Sequence, residues 1–239
     1  MNQIVVLNNV DHHDVRLHRV RGAGNGEILN QVRVFPSEFR DLQRDFPIFF
    51  RRGDSGYHSV VILGLDAQEN LYLEGEGDDV RWTARTVPAI LDRGPFSIGM
   101  DRDGQDPKVM VDLGHPWVSR DAGEPLFLSH GGNAPALDRA AETLRTLHMG
   151  VEVEQAMFAA FERAGLIAYL DLDIRLDEST EYKLPELYTI RPDALGSLDG
   201  ATLAALNGSG FLELAYMVLA SHDNLSRLIE AKNRRRTVL

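Results

Sequence analysis

The sequence contains no cysteine among its 239 residues. That absence excludes disulfide bonds, thiolate nucleophiles, iron–sulfur clusters and cysteine-ligated zinc. The chain also lacks the run of about 18 apolar residues that a membrane-spanning helix needs. Residues 1–9 carry neither a basic stretch nor a long apolar one, so no secretory signal is predicted. We therefore expect a cytoplasmic protein without a membrane segment.

Positive charge is scarce as well. The chain has 25 Lys and Arg against 36 Asp and Glu, which gives a formal net charge of -11. A general nucleic-acid-binding surface needs the opposite balance, so nucleic acid is an unlikely partner. The only candidate for such a contact is the basic cluster near the C-terminus, Arg234, Arg235 and Arg236. Cations at that position also suit the end of a helix, and we favour this second interpretation.

The composition that remains, 44% hydrophobic and 26% charged residues, is that of an ordinary globular protein. In the first half, short β-branched or apolar runs alternate with Gly, Pro, Asp and Asn, which is typical of strands joined by turns. Strands are predicted at 4–7, 15–20, 31–35, 57–65, 71–73, 96–98 and 109–113. A short helix that brings Phe39, Leu42 and Phe46 to one side is predicted before Pro47.

The second half follows a helical period. Apolar residues recur every three or four positions over 136–164, which predicts one amphipathic helix with a weak point at Gly150. Residues 168–176 alternate apolar and charged side chains, as a half-buried strand does, and 187–190 offers a partner strand for which Pro185 suggests an edge or a start. Helices are predicted at 192–195, 202–206 and 211–231.

These patterns together predict an α+β fold. Its N-terminal half is β-rich with a mixed or antiparallel sheet, and its C-terminal half is helix-rich. No repeat or linker divides the chain, so we expect a single domain over residues 1–239, with a seam near residue 130 as the alternative.

None of the familiar active-site motifs is complete. The glycine-rich segment 21–26 has the spacing GxGxG instead of a phosphate-binding spacing, and the Asp-rich segment 101–106 has its glycine in the wrong position for a calcium loop. A loop and a hairpin connection explain them. Residue type alone leaves four weak catalytic candidates, which could form a His/carboxylate metal site of an oxygenase or hydrolase acting on a protein or peptide: His12, His58, His115 and Glu38. Because the local spacing of such sites is missing, neither a cofactor nor a metal site is predicted, and an enzyme is the less favoured hypothesis.

Binding is the favoured alternative to catalysis. Aromatic and arginine side chains dominate the energetics of protein interfaces. They concentrate in the segment 35–50, in the turn 93–98 and beside His115. The candidate binding residues are Phe39, Arg44, Phe46, Arg93, Phe96 and Trp117. We expect a protein partner, and the sequence is also compatible with a homo-oligomer.

Several segments taken in order are more specific than any of these motifs. They are LNNVDH at 7–12, FPSEF at 35–39, LGL at 63–65, ENLYL at 69–73, VPA at 87–89, GPFSIG at 94–99, HP at 115–116, GEPLF at 123–127, LYTI at 187–190 and GFLELA at 210–215. Over nearly the whole chain the sequence resembles the bacterial SapC family, from which it departs at residues 75–86. The family takes its name from a surface-array protein cluster, and its members are often encoded near TonB-dependent receptors and halogenase-like proteins. The resemblance implies an accessory role in a surface, uptake or modification system. The family has no agreed catalytic residues, so none is carried over.

Overall fold

The computed structural model describes residues 3–22, 26–100 and 107–238. The hairpin connection predicted at 101–106, and the middle of the glycine-rich segment 21–26, lie outside these residues. The chain forms two compact units that are built from separate segments. Unit 1 consists of Met1–Glu27, Leu73–Trp82 and Ala89–His148; unit 2 consists of Ile28–Tyr72, Thr83–Pro88 and Met149–Leu239. The single-domain organisation stays a prediction.

The elements follow one another in a strand-rich first half and a helix-rich second half, so the predicted α+β class is confirmed. The strands are β1 (Ile4–Val6), β2 (Arg16–Leu17), β3 (Gln31–Val34), β4 (Ile48–Gly53), β5 (Gly56–Ile62), β6 (Leu73–Glu74), β7 (Arg81–Trp82), β8 (Phe96–Met100), β9 (Pro107–Asp112), β10 (Val118–Ser119), β11 (Glu124–Pro125), β12 (Ile167–Arg175) and β13 (Glu181–Ile190). The helices are α1 (Phe39–Leu42), α2 (Ala89–Asp92), α3 (Pro135–Arg163), α4 (Pro192–Gly196), α5 (Gly200–Gly208), α6 (Phe211–Ser221) and α7 (Asn224–Val238).

Unit 1 contains small antiparallel sheets. One has the order β1-β9-β8, a second has the order β10-β2-β11, and β6 pairs with β7. In the first sheet Phe96 of β8 lies directly opposite Val111 of β9, and both side chains are fully buried. Cross-strand apolar pairs of this kind stabilise small sheets.

Unit 2 is organised around a five-stranded antiparallel sheet with the order β12-β13-β4-β5-β3. On one face, Phe49, Val60 and Leu187 pack with Leu228 of α7 in a buried cluster. On the other face, Phe50 contacts two rings of α3, with centroid distances of 5.0 Å to Phe158 and 6.4 Å to Phe161. The sheet is therefore covered on both sides at its centre.

The C-terminal apolar pattern over 211–231 predicted one helix, and the structure has two. The chain leaves α6 after Ser221 and begins α7 at Asn224. Ser221 Oγ accepts the Ile48 N–H at 2.9 Å, and Asn224 Nδ2 donates to the carbonyls of Gln43 at 2.8 Å and Phe46 at 3.2 Å. The break between the helices is fixed by these two buried polar side chains, which form hydrogen bonds with backbone groups at and just before the start of β4. The spacing of apolar residues in the sequence contains no information about such contacts.

Among the described residues, no single helix has the length and apolarity to cross a bilayer. The pair Gly200–Gly208 and Phe211–Thr237 meets both criteria only when taken together, and it is bent by 91°.

Helix α3 runs unbroken through Gly150, where the sequence suggested a weak point. Gly150 instead permits α3 to lie close to Phe35 and Ser37. A Cβ placed on Gly150 would lie 2.3 Å from Phe35 Cβ and 2.6 Å from Ser37 Oγ. One turn later, the buried carboxylate of Glu154 pairs with Arg33 at 2.5 Å and accepts the Ser59 N–H at 3.3 Å. The glycine therefore lets α3 dock against the chain that follows β3.

Gly150→Ala is expected to destabilise the protein by about 1–3 kcal/mol, as other overpacked sites do. This sign is opposite to that of an ordinary glycine in a helix, where alanine improves stability by up to about 1 kcal/mol. Gly208→Ala in α5 is the matched control, because a Cβ there meets nothing within 4 Å. Chemical denaturation of both variants measures the difference, and equal stability of the two would contradict this account of the docking.

His222 makes stability depend on pH. Its ring stacks on Phe49 at 4.7 Å, and its Nε2 lies 3.2 Å from Thr189 Oγ1. Burial lowers the pKa of His222, so the folded state favours the neutral ring. As the pH falls below the ordinary histidine value of about 6.5, the unfolded state takes up the proton first and the free energy of unfolding decreases. The decrease ends once the pH has passed below the folded pKa.

We expect His222→Phe to flatten this dependence between neutral and mildly acidic pH, because phenylalanine keeps the stacked ring and cannot titrate. Denaturant unfolding at a series of pH values gives the slope for each protein. The wild-type protein should lose up to about 1.4 kcal/mol per pH unit from this group. An identical slope in the variant would show that His222 is not responsible.

Candidate functional site

The two candidate histidines of unit 1 already have local partners. His12 is buried, and its Nδ1 accepts the Asn8 N–H at 3.1 Å. His115 Nδ1 accepts the Trp117 N–H at 3.1 Å, and burial lowers the pKa of this imidazole. Each ring therefore fixes a turn of its own segment.

The other two candidates belong to unit 2. Glu38 is buried and its Oε2 accepts the Phe35 N–H at 3.0 Å, which caps the turn before α1. His58 lies in β5 opposite Arg51, and burial, followed by the positive charge of Arg33, lowers its pKa. Among the residues that the structure describes, no group of three or more His, Asp or Glu side chains is arranged to hold a metal ion.

Trp117 is a buried anchor in unit 1. The guanidinium groups of Arg19 and Arg21 lie 5.7 Å and 5.0 Å from its ring centroid, and its indole N–H donates to the Val20 carbonyl. Gly94 has a positive φ of 52°, and a Cβ on it would meet the Trp117 ring at 2.3 Å. The ring is therefore enclosed by backbone and by two cations.

Carboxylates neutralise both cations of this cluster. Asp92 accepts from Arg19 at 2.7 Å and from Arg21 at 3.1 Å. The buried Glu27 accepts from Arg21 at 2.6 Å and from the Gly22 N–H at 2.7 Å. These ion pairs fix the positions of the side chains around Trp117. Because the two arginines are balanced by two carboxylates, the cluster has no unpaired charge to offer a ligand.

The sequence-predicted binding residues are mostly core residues. Phe39, Phe46, Phe96 and Trp117 are each no more than 1% exposed, so they support the fold and offer no surface to a partner. Arg93 is half-buried and donates to the Phe96 carbonyl at 2.9 Å. Arg44 remains on the surface, 3.5 Å from Asp41.

A row of aromatic side chains that reaches the surface lies elsewhere, on the sheet of unit 2. It consists of Tyr57 in β5, Tyr188 in β13 and Tyr169 in β12, which we call the tyrosine row. The Tyr57 and Tyr188 ring centroids are 5.0 Å apart, those of Tyr188 and Tyr169 are 5.4 Å apart, and both contacts are edge-to-face. Phe158 of α3 contacts Tyr57 at 5.7 Å, and at the other end Tyr169 is 55% exposed. The row thus leads from the covered centre of the sheet to its open edge.

Charged groups flank the tyrosine row. The Arg52 guanidinium lies 5.5 Å from the Tyr57 ring centroid, and the Tyr169 hydroxyl donates to Asp171 Oδ1 at 2.7 Å. That hydrogen bond raises the pKa of Tyr169. The same bond, followed by one from the Glu186 N–H at 3.2 Å, lowers the pKa of Asp171. The row therefore presents aromatic rings, the guanidinium of Arg52 and a carboxylate that is held by hydrogen bonds.

A β-bulge positions Asp171. The register of β12 and β13 shifts between Leu170 and Leu172, where Pro185 and Glu186 together lie opposite one residue. Glu186 is the sole non-glycine residue with positive φ in the described parts of the chain, at 59°. Pro185 was expected at an edge or a strand start, and this expectation was wrong. The bulge accommodates its missing N–H within β13.

Sequence reasoning found the strand that carries Tyr169 but missed the row. The alternation over 168–176 predicted β12 correctly, but no binding residue was predicted on it. Tyr188 is the direct partner of Tyr169 in the pairing of β12 with β13, but Tyr57 joins the row only because β4 lies between β5 and β13, and β4 was not predicted. The available signal was a large aromatic residue on the charged side of an alternating strand.

The basic C-terminal cluster lies in the last turns of α7, as the helix-end interpretation predicted. Arg236 Nη2 donates to Asp177 Oδ2 at 2.7 Å and to Thr180 Oγ1 at 3.0 Å. The bond from Arg236 holds the pKa of Asp177 well below its usual range. Part of this positive charge is thus used within unit 2.

Tyr169→Phe is expected to raise the pKa of Asp171 toward its ordinary value, because the variant removes the hydrogen bond that does most to lower it. A carbon-detected NMR titration of the carboxyl groups measures this directly. Asp199 is the internal reference, since Thr202 and Ala201 lower its pKa independently of the row. An unchanged Asp171 pKa would contradict the geometry of the row.

Comparison with known protein families shows which family the chain belongs to. The SapC family model matches residues 7–228, which is nearly the whole chain. No curated protein and no solved structure matches the sequence. The match spans residues of both units, including β12, β13 and the buried Trp117 cluster. The chain therefore belongs to the SapC family.

Proposed function

We propose that this SapC-family protein is an accessory protein that binds a protein partner through the tyrosine row and carries out no chemistry of its own. The observation that supports this most is the exposed ring of Tyr169, which packs on the half-buried Tyr188 and, through it, on the half-buried Tyr57, beside Arg52 and Asp171. In keeping with the family resemblance, the partner would belong to a surface, uptake or modification system, and the complex would form in the cytoplasm.

The chemistry of the row suits a protein surface. Tyrosine and arginine are enriched among the residues that dominate binding energies, because each combines a large contact area with a polar end. A tyrosine also loses little conformational entropy on binding, and here the rings already support one another edge to face. The hydroxyl of Tyr169 is oriented by Asp171 before any partner arrives.

Tyr169→Ala should reduce recovery of the partner about tenfold or more, the effect of losing one binding hot spot. Tyr216→Ala is a matched control, because Tyr216 is 52% exposed in α6 of the same unit and does not belong to the row. Full-length tagged wild-type protein and both variants are used to capture proteins from an extract of the source cells, with quantification by mass spectrometry. The expected result is a protein retained by wild type and Tyr216→Ala and lost from Tyr169→Ala.

Two results would contradict the proposal. One is the same set of captured proteins for all three baits, provided that their thermal unfolding midpoints agree. The other is turnover by the isolated protein together with stoichiometric iron or zinc that disappears in His115→Ala, which would favour the metal-dependent oxygenase or hydrolase. Cell fractionation tests the location separately.

A further inference from the structure

Strand β12 has one free edge. Within the described part of unit 2 it pairs only with β13, and β3 forms the opposite edge of the sheet. The Leu166 carbonyl accepts the Arg191 N–H at 2.7 Å, and the Leu176 N–H donates to the Thr180 carbonyl at 3.0 Å. These bonds mark the even-numbered residues as those whose backbone faces β13. Because the direction alternates along an antiparallel strand, the N–H and C=O groups of Asp173 and Arg175 point outward.

The side chains at this edge alternate in the same way. Asp173 lies opposite Lys183 of β13, and Arg175 lies opposite Glu181, with all four side chains exposed on one face. On the other face, Leu172 and Leu176 are only partly buried against the cluster that contains Ile174. The free edge therefore offers charges on one face and apolar surface on the other.

Residues 172–176 read Leu-Asp-Ile-Arg-Leu, which is self-complementary in an antiparallel pairing. With Ile174 opposite the partner's Ile174, leucine meets leucine, and Asp173 meets the partner's Arg175. Across the four strands the charges would then alternate as Lys183, Asp173, the partner's Arg175 and the partner's Glu181. Opposite charges directly across a strand pair are stabilising.

The backbone supports the same register. Asp173 and the partner's Arg175 both carry outward-facing groups, so each such pair can exchange two N–H···O bonds, and the two-fold axis produces the pair twice. A register centred on Leu172 would place Asp171 opposite the partner's Asp173. A register centred on Asp173 would place that carboxylate opposite its own copy. The Ile174-centred register has no like-charge pair among residues 172–176, and it places Asp171 opposite the partner's Asp177, a residue already paired with Arg236 of its own chain.

We infer that the free edge of β12 is a homodimer interface, in which two copies join their sheets antiparallel about a two-fold axis at Ile174. The inference does not rest on the proposed partner-binding function, because Tyr169 lies outside the paired residues. An overlap of five residues is small for an interface, so the dimer forms reversibly and its fraction rises with concentration.

Charge reversal tests the inference. Sedimentation equilibrium of the full chain at rising concentration should show association toward twice the chain mass of 26.7 kDa. Asp173→Arg alone, or Arg175→Asp alone, should raise the dimer dissociation constant about tenfold or more, since two cross-strand pairs become repulsive. An equimolar mixture of the two variants should associate again, because each supplies the charge that the other lacks.

Glu162→Arg controls for the change in net charge, since this exposed residue lies near the end of α3 and not on the edge. It should dimerise like the wild-type protein. Three results would overturn the inference: a wild-type protein that stays monomeric throughout, single variants that associate as wild type does, or a mixture that stays monomeric. The mixture also separates a lost interface from a damaged fold, because misfolded variants would not pair with each other.

Discussion

The burial of β4 between two layers is the constraint on which unit 2 depends. Successive side chains of a strand point to opposite faces, so Phe49 enters the cluster with α7 while Phe50 enters the contact with α3. Each ring is no more than 1% exposed. One strand thereby holds helices on both sides of the sheet, and it also separates β5 from β13, which sets the spacing between Tyr57 and Tyr188.

Buried polar groups decide where the surrounding helices begin and end. Ser221 and Asn224 anchor the junction of α6 and α7 to the backbone entering β4, and Glu154 anchors α3 to β5. Lys232 anchors α7 to the segment that follows β5, because its Nζ lies 2.6 Å from Asp66 Oδ2 and 2.7 Å from Glu69 Oε1. Burial alone would lower the pKa of Lys232, but these two carboxylates raise it. Each such group would be costly without its partner, so the contacts select one arrangement of the helices.

Local periodicity was sufficient to predict α3, β12 and the α+β class, because each depends on residues close in sequence. It failed at β4, whose first residues Ile48, Phe49 and Phe50 are apolar on both faces and directly follow Pro47. It also does not distinguish buried aromatic residues from exposed ones. Phe39 and Phe46 resembled interface anchors in composition, but only the three-dimensional order of strands shows that they are core residues and that Tyr169 is exposed. Aromatic residues offer a large contact area, but a partner can contact only those whose side chains are exposed.

Two stretches of the exposed face of β12 carry different contacts. Tyr169 precedes the Pro185–Glu186 bulge, Asp171 lies opposite it, and Asp173 and Arg175 follow it, all on the same exposed face. A bulge increases the local twist of a strand pair. The stretch that carries the tyrosine is therefore turned relative to the self-complementary stretch, which keeps the aromatic contact and the edge pairing distinct. If two copies pair through the second stretch, the two-fold axis also places two tyrosine rows on one assembly. A partner with two matching sites would then bind more tightly than a single row allows, without any new contact.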